Sequence, residues 1–437
     1  MGDLHGIAGE TALTMTRKAV ASAGLSLFFL LVYGGANWIT TLRPDVGTWY
    51  FDWELEIPLV PVMIVPYMSI DLFFVLAPFL CSSRRELATL ARRIVFSILV
   101  AGTFFLIMPL TLGFRREPVP GIFGPIFEWF RGMDAPHNLF PSLHIALRTL
   151  LAEIYARHTR GLLRVIILAW FSLIGFSTVL THQHHLVDIA GGFLLAGFAF
   201  YFCRESSVWL PVVPNIRVGI LYGMGAVLVL TAAPLVWPLG AFFLWPATVL
   251  AIVAAAYFGL GPGIFRKSAG RLPWSTRFVF APLLFGQHLS LLYYRRQCRA
   301  WDEVTHNVLV GRRLNDSEAA DLVRRGVTAV LDLTAEFSEA TPFLALRYRN
   351  LAILDLTAPT TAQQQEAALF IAEECVNGKV YVHCKVGYSR SAAVVGAYLL
   401  ASGQAAGAEE AVAMLRRARP AIIVRREALA ALRKGET

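Results

Sequence analysis

A cysteine and an arginine separated by five residues stand in the stretch His383-Cys384-Lys385-Val386-Gly387-Tyr388-Ser389-Arg390-Ser391. An apolar run of β type, VYV, leads into it, and an apolar run of helical type, AAVVGAYLL, comes after it. A loop between a strand and a helix N-terminus turns its backbone N–H groups toward one point and makes a cradle for an anion. The same field favours a thiolate, so Cys384 is the candidate nucleophile. Arg390 offers a planar fork that matches two phosphate oxygens. Gly387 gives the turn its freedom at positive φ, and Ser391 can donate to the sulfur as it leaves phosphorus. The amides of Lys385, Val386, Gly387, Tyr388 and Ser389 complete a candidate phosphate-binding loop. A buried structural cysteine at a strand end is the competing reading, and the arginine at the helix start weighs against it.

A second set of residues lies in His137-Asn138-Leu139-Phe140-Pro141-Ser142-Leu143-His144 and in Thr181-His182-Gln183-His184-His185-Leu186-Val187-Asp188. Both stretches sit at the ends of long apolar runs, where titratable side chains are costly and point to function. The His184-x-x-x-Asp188 spacing puts both side chains on one helix face. A carboxylate there can hold the imidazole tautomer and stabilise the imidazolium, leaving the other ring nitrogen free to attack phosphorus. His144 is then the candidate to protonate the leaving oxygen. Asp71, within YMSIDLFF, has two open readings, a structural partner inside a bundle or part of a substrate channel. The aromatic segment 121–133 reads as a membrane anchor near this site.

The elements that must position these residues are of two kinds. Apolar residues make up 56% of the 437 and charged ones 16%. A soluble domain is roughly 45–50% apolar and about 25% charged. Disorder, collagen-like repeats and a disulfide scaffold are thereby excluded, and most of the chain is expected in lipid. Eight segments are apolar over bilayer length: 19–39, 59–81, 94–113, 141–157, 162–181, 185–203, 216–236 and 239–260. Bases cluster after the even-numbered ones, at Arg84, Arg85, Arg92 and Arg93, then Arg157, Arg160 and Arg164, then Arg204 and Arg217, then Arg266, Lys267, Arg271 and Arg277. By the positive-inside rule both termini are expected in the cytoplasm. The first span has no small-residue cleavage site and reads as an uncleaved anchor. Residues 278–296 suit an interfacial helix; a ninth span is the alternative and would move the C-terminal domain to the other side. From about residue 298, short β runs alternate with helical patterns, as in an α/β domain. The net charge of +9 suits an anionic membrane surface. The bases flank apolar segments and form no separate patch, so nucleic acid is not an expected partner. Cys81, Cys203, Cys298 and Cys375 show no metal-ligand spacing, and dinucleotide and Walker-type fingerprints are lacking in the sequence.

The loop around Cys384, together with NVLVGRRL, GVTAVLDLTAE, LDLTAPT and the late EEAVAMLRRARP, resembles the dual-specificity branch of the protein tyrosine phosphatase superfamily from about Asn307 onward. The resemblance implies a cysteinyl-phosphate on Cys384 and an aspartic acid on a movable loop as general acid. Asp355 matches that position, with Asp332, at the end of VLDLT, as the competing choice. The LDLT context is similar to that of the mitochondrial lipid phosphatase of this branch, which acts on phosphatidylglycerophosphate. Lys385 beside the nucleophile resembles phosphatases of acidic lipid head groups; a solvated loop lysine is the plain alternative. The bases Arg416, Arg417, Arg419, Arg425 and Arg426 read as part solvated helix face, part membrane-facing.

FPSLH followed by HxxxD resembles the type 2 phosphatidic acid phosphatase superfamily over roughly 58–205, nearest the branch of inositol phosphorylceramide and sphingomyelin synthases. It implies His184 as nucleophile through a phosphohistidine, Asp188 as its orienter and His144 as general acid. Ser142, His182 and Arg116, with Arg115 as the alternative to Arg116, are implied to contact substrate. Leu143 stands where the family has Gly, and Ser177-Thr178 where it often has Ser-Arg, which leaves head-group transfer open beside hydrolysis.

The expected architecture is an all-α membrane bundle of about eight spans followed by an α/β phosphatase-like domain. The expected segments are 1–57 with the first span, 58–205 catalytic, 206–262 with two spans, 263–297 a linker and 298–437 the phosphatase. The expected protein is a bifunctional enzyme of an inner or plasma membrane acting on lipid phosphoesters, with no metal or cofactor. The alternatives are a phosphoinositol-type head-group transferase with a trimming phosphatase, and a membrane-tethered signalling protein phosphatase.

Overall fold

The computed structural model describes residues 13–204, 210–424, 429–430 and 433; Arg425 and Arg426 lie outside them. The chain forms two compact units, Met1–Ser207 and Val208–Thr437.

The first unit is helical. Its elements are α1 (Met15–Phe29), continued through a π turn (Leu30–Gly34) into α2 (Gly35–Thr41), α3 (Ile64–Leu80), α4 (Arg84–Ile107), α5 (Gly124–Met133), α6 (Leu143–His158), α7 (Gly161–Leu180) and α8 (Leu186–Phe202). Side-chain caps begin several of them: Ser83 accepts from Glu86 N–H and Ser142 from Ile145 N–H. Ile94, Ile98, Ala101, Phe105, Ala146, Leu151 and Ile174 pack into one core. Gly102 lets α4 approach the first helix, since a Cβ there would meet the Val32 side chain at 2.7 Å. Large apolar side chains such as Leu31, Leu72, Leu162 and Phe176 stay exposed on the outside, which suits helices solvated by lipid.

Among the described residues, six helices are long and apolar enough to cross a membrane: Met15–Thr41, Pro61–Leu80, Arg84–Ile107, Gly161–Leu180, Ile216–Val236 and Leu239–Leu260. The other two expected spans, which carry the histidine clusters, form shorter helices. α6 has 16 residues and α8 has 17. At 1.5 Å per residue they measure about 24–26 Å, against a hydrocarbon core of about 30 Å. Each is short because Ser142 and His185 begin it only after the polar loop has turned, and α6 also carries Arg148, Glu153 and Arg157.

The second unit starts with an apolar hairpin, α9 (Ile216–Ala232) and α10 (Leu244–Ala255), the latter prolonged by a π turn (Ala256–Leu260). Next come α11 (Trp274–Val279) and α12 (Ala281–Arg295). α12 has only 15 residues, is not among the long apolar helices, and packs beside α10, whose Trp245 Nε1 donates to Val279 O at the end of α11 at 2.6 Å. The chain then forms β1 (Trp301–Thr305), β2 (Val308–Arg312), α13 (Asp316–Arg324), β3 (Val327–Thr334), α14 (Thr341–Leu344), β4 (Arg347–Ile353), α15 (Thr361–Glu374), β5 (Lys379–Cys384), α16 (Arg390–Ala401) and α17 (Ala408–Ala418). The strands make one mixed sheet in the order β1-β2-β5-β3-β4, with only β1 antiparallel to its neighbour. β5 runs down the middle with Val380, Tyr381 and Val382 wholly buried, so its C-terminal end delivers Cys384 to the crevice where open α/β sheets bind ligands.

Candidate active sites

The loop after β5 closes around the cysteine sulfur. Gly387 N–H donates to Cys384 Sγ at 3.2 Å, and Ser391 Oγ lies 3.6 Å from it. Gly387 has φ +78°, and a Cβ there would meet the Gly311 backbone at 2.5 Å, so only glycine fits. Burial alone pushes the Cys384 thiol up. The Arg390 charge, the Ser391 hydroxyl and the N–H groups of Ser391 and Gly387 outweigh burial and hold it below its ordinary value.

Arg390 opens α16 and is 1% exposed. Its fork is held by both oxygens of Glu336, at 2.8 and 3.1 Å, and by Ile353 O at 2.9 Å. Its Nε is buried without a protein partner and is left for an oxyanion. Asp355 Oδ1 lies 3.4 Å from Arg390 Nη2, and Asp355 Oδ2 lies 3.9 Å from Lys385 Nζ. Cys384, Arg390, Asp355, Lys385 and Ser391 thus converge. Lys385 is not a solvated loop residue. It is 6% exposed, donates to Gln287 Oε1 of α12 at 2.7 Å, and is drawn below its ordinary value by burial.

Asp332, the competing acid, faces elsewhere. It is wholly buried and takes an ion pair from Lys267, with Thr334 N–H and Tyr348 Oη donating to it at 2.8 and 2.7 Å. Lys267 is therefore more than a membrane-flanking charge. Asp332, Glu339 and His383 bring potential ligand atoms within 4.8 Å of one another, a grouping that sequence spacing did not reveal. The Lys267 ammonium already sits on Asp332 there. His383 Nε2 donates to Glu339 Oε2 at 2.6 Å, and its Nδ1 lies 3.4 Å from the Cys384 carbonyl. Burial disfavours charge on that ring, but Glu339 and Asp332 raise its pKa above the ordinary value.

Arg419 corrects another expectation. It is 3% exposed, pairs with Asp302 at 2.6 Å and donates to Val386 O at 3.0 Å, so it braces the loop after β5 instead of facing solvent or lipid. Ile423 N–H holds Tyr388 O at 3.0 Å, and Ser389 precedes α16 at its N-cap position. Sequence reasoning missed Glu336, although it is the last residue of GVTAVLDLTAE, because nothing local tells that it reaches Arg390.

In the first unit His144 and His184 line one cavity of about 580 Å³, together with Tyr67, Asp71, Arg131 and Asp134. Asp188 is fully buried behind His184, with Oδ2 3.5 Å from His184 Nδ1. That separation exceeds a good hydrogen bond, and Asp188 Oδ2 already accepts from His185 N–H at 2.8 Å. His144 stacks on Tyr67, ring centroids 4.3 Å apart, and its Nε2 is buried without a partner. Asp71 opens to the cavity. Trp129 and Phe130 belong to its wall, so the aromatic segment does more than anchor.

The remaining expected residues serve these indirectly. Ser142 is fully buried as the cap of α6, and its N–H donates to Asp188 O at 3.0 Å. His182 adopts φ +55°, stacks on Phe114 and bonds Ile57 O at 2.9 Å. Arg116 donates to the Asp134 carbonyl at 3.0 Å. Two acids were not foreseen. Glu54 is fully buried; its Oε2 takes Leu186 N–H at 2.8 Å and lies 3.3 Å from His185 Nδ1, whose Nε2 accepts from Gly113 N–H at 3.0 Å. Asp134 receives Asn37 Nδ2 at 2.8 Å and Tyr33 Oη at 3.2 Å, and burial pushes its carboxyl up to about 6.

Comparison with known proteins finds a match in each half of the chain. The family model of the dual specificity phosphatase catalytic domain matches residues 314–437, and that of the PAP2 superfamily matches residues 128–202. Dual specificity protein phosphatase 26 of Rattus norvegicus is 34% identical over 152 residues, which cover 31% of this chain and 72% of that protein. The chain belongs to the dual-specificity phosphatases. Its helical half carries a PAP2 superfamily domain, so this dual-specificity phosphatase is a fusion of the two. It is a phosphoric monoester hydrolase and, with six helices of membrane-crossing length, a membrane protein. Phosphatidylglycerophosphate phosphatase PTPMT2 of Arabidopsis thaliana is 31% identical over 131 residues, 28% of this chain and 57% of that one. A crystal structure of PTPMT1 in complex with PI(5)P aligns at 25% identity and TM-score 0.29, covering 32% of this chain and 95% of that one.

Proposed function

We propose that the C-terminal domain hydrolyses a membrane-lipid phosphomonoester through a cysteinyl-phosphate, and that the PAP2 domain acts on a lipid phosphoester through a phosphohistidine. The observation that carries the first part is the convergence of Cys384, Arg390 and Asp355 in a unit that also contains two helices of membrane length. The Cys384 thiolate attacks phosphorus while Asp355 gives its proton to the leaving oxygen. Arg390 Nε and the loop amides hold the phosphoryl oxygens. Asp355 then takes a proton from water, which attacks the phosphocysteine and releases inorganic phosphate, with Ser391 donating to the departing sulfur. The name of the Arabidopsis relative, a phosphatidylglycerophosphate phosphatase, supports an anionic lipid as substrate.

In the PAP2 domain, His184 Nε2 attacks phosphorus, Asp188 supports the imidazolium through Nδ1, and His144 protonates the leaving oxygen. The clustering of bases on alternate loops supports cytoplasmic termini and a cytoplasmic phosphatase domain. Head-group transfer is supported beside hydrolysis by one feature: the position where an arginine is common holds buried Ser177 and Thr178. The cavity, of about 580 Å³, has room for an acceptor hydroxyl.

The test is product analysis on the purified protein in detergent, offering lipid phosphomonoesters and phosphodiesters with and without a hydroxyl acceptor. Cys384→Ser is expected to abolish phosphate release and His184→Ala a different conversion, the latter dependent on acceptor if transfer holds. Loss of all turnover in Cys384→Ser with none in His184→Ala would reduce the PAP2 domain to an anchor.

A further inference from the structure

The loop that carries Asp355 is held from outside the phosphatase fold. Tyr257, in the turn that ends the α9–α10 hairpin, donates its hydroxyl to Asp355 O at 2.8 Å. Asn215, the residue that caps α9, donates Nδ2 to Leu356 O at 2.7 Å while its Oδ1 accepts from Val218 N–H. The two anchors are themselves joined, since Asn215 N–H donates to Tyr257 O at 3.1 Å. Tyr222 of α9 stacks on Tyr257 and interacts with Gln287, the partner of Lys385. Leu356, beside these contacts, has φ +61°. A leucine is not at ease in that left-handed conformation, and it persists only where surrounding contacts over-determine it. Here those contacts come from the hairpin.

We propose that Tyr257 and Asn215 are positioning residues for the general acid: the apolar hairpin grips the backbone of the Asp355 loop and keeps its carboxyl beside Arg390. The loop is then not free to swing in from solvent, as a general-acid loop of an isolated catalytic domain can. Its geometry is set by helices that belong to the lipid phase. The inference rests on Asp355 being the general acid.

Leaving-group dependence separates the possibilities. A general acid matters for an alkoxide leaving group and little for p-nitrophenolate, which departs without a proton. The full-length protein in detergent would be assayed with dihexanoyl phosphatidate and with p-nitrophenyl phosphate. Tyr257→Phe loses only the hydroxyl, and Asn215→Ser keeps a capping oxygen but cannot reach Leu356. Combined, they are expected to lower kcat/KM on the phosphatidate, which reports formation of the cysteinyl-phosphate and not its later hydrolysis, at least tenfold. kcat/KM on p-nitrophenyl phosphate should fall less than twofold, while kcat on both substrates falls together because Asp355 also serves as base for water. The limb of the pH profile that reports the acid should also shift. Asp355→Asn is the reference and should show the same selectivity. If Asp355→Asn separates the substrates and the double variant does not, or the double variant lowers kcat/KM on both equally, the inference is overturned while the acid assignment stands. If Asp355→Asn fails to separate them, the assignment falls and takes the inference with it.

Discussion

Cys384 carries its own pH signature. Its thiol is held below the ordinary value chiefly by Arg390 and Ser391 acting against burial, so the thiolate persists to lower pH than in a free cysteine. Alkylation by iodoacetate should therefore rise with pH around a midpoint below the ordinary thiol value of about 8.5. Arg390→Met and Ser391→Ala should each move that midpoint upward, the arginine variant further because a full charge is lost. A midpoint unmoved by Arg390→Met would show that the loop amides alone set the thiolate. At this scale legibility followed contiguity. Cys384, Gly387, Arg390 and Ser391 sit in one run whose spacing is itself the cradle, so the sequence announces them. Glu336, Glu54 and Asp134 reach their partners across 54, 131 and about 100 residues, and no local pattern marks a carboxylate for such a task. The same distance hid the true place of Arg419, whose run of neighbouring arginines suggested a solvated face.

Among the elements, α8 depends on two buried acids at its first turn. Asp188 Oδ2 accepts the His185 N–H and Glu54 Oε2 the Leu186 N–H, so each satisfies one of the donors that a helix start leaves open. Glu54 also fixes His185, which stacks between Tyr50 and Phe114. Glu54→Ala leaves buried donors unpaired and is expected to cost the first unit about 3 kcal/mol. It should also tilt His184 away from productive geometry, lowering turnover in the PAP2 domain while phosphate release through Cys384 is unchanged. Measuring both conversions on the same preparation checks this, and equal losses in the two would refute it. The apolar helices themselves were legible from hydropathy, which is a property of long runs. The ends of α6 and α8 were legible as well, since the expected segments 141–157 and 185–203 form helices over Leu143–His158 and Leu186–Phe202.

For the molecule as a whole, the two units have separate cores, one of helix faces around Ile98 and Phe105, the other around the sheet at Val310, Leu331 and Val382. Thermal unfolding in detergent should show two transitions. Lys267→Met removes one partner of a fully buried ion pair, a change of about 3–5 kcal/mol, and should lower only the transition of the second unit. A simultaneous shift of both transitions would mean that the units unfold together. The division into a helical half and an α/β half was legible because composition changes abruptly. The reach of Lys267 into the sheet was not, since a base after a membrane span is ordinarily explained by topology. That lysine separates two boundaries that are usually drawn together. The match to the dual-specificity phosphatase model begins at residue 314, yet the counter-charge of Asp332, on the strand beside the central one, lies at 267, before α11 and α12. A fragment cut at residue 314 would leave the buried Asp332 carboxylate with neutral donors but without its lysine, so the stretch needed for a stable catalyst is expected to be longer than the stretch the family model covers.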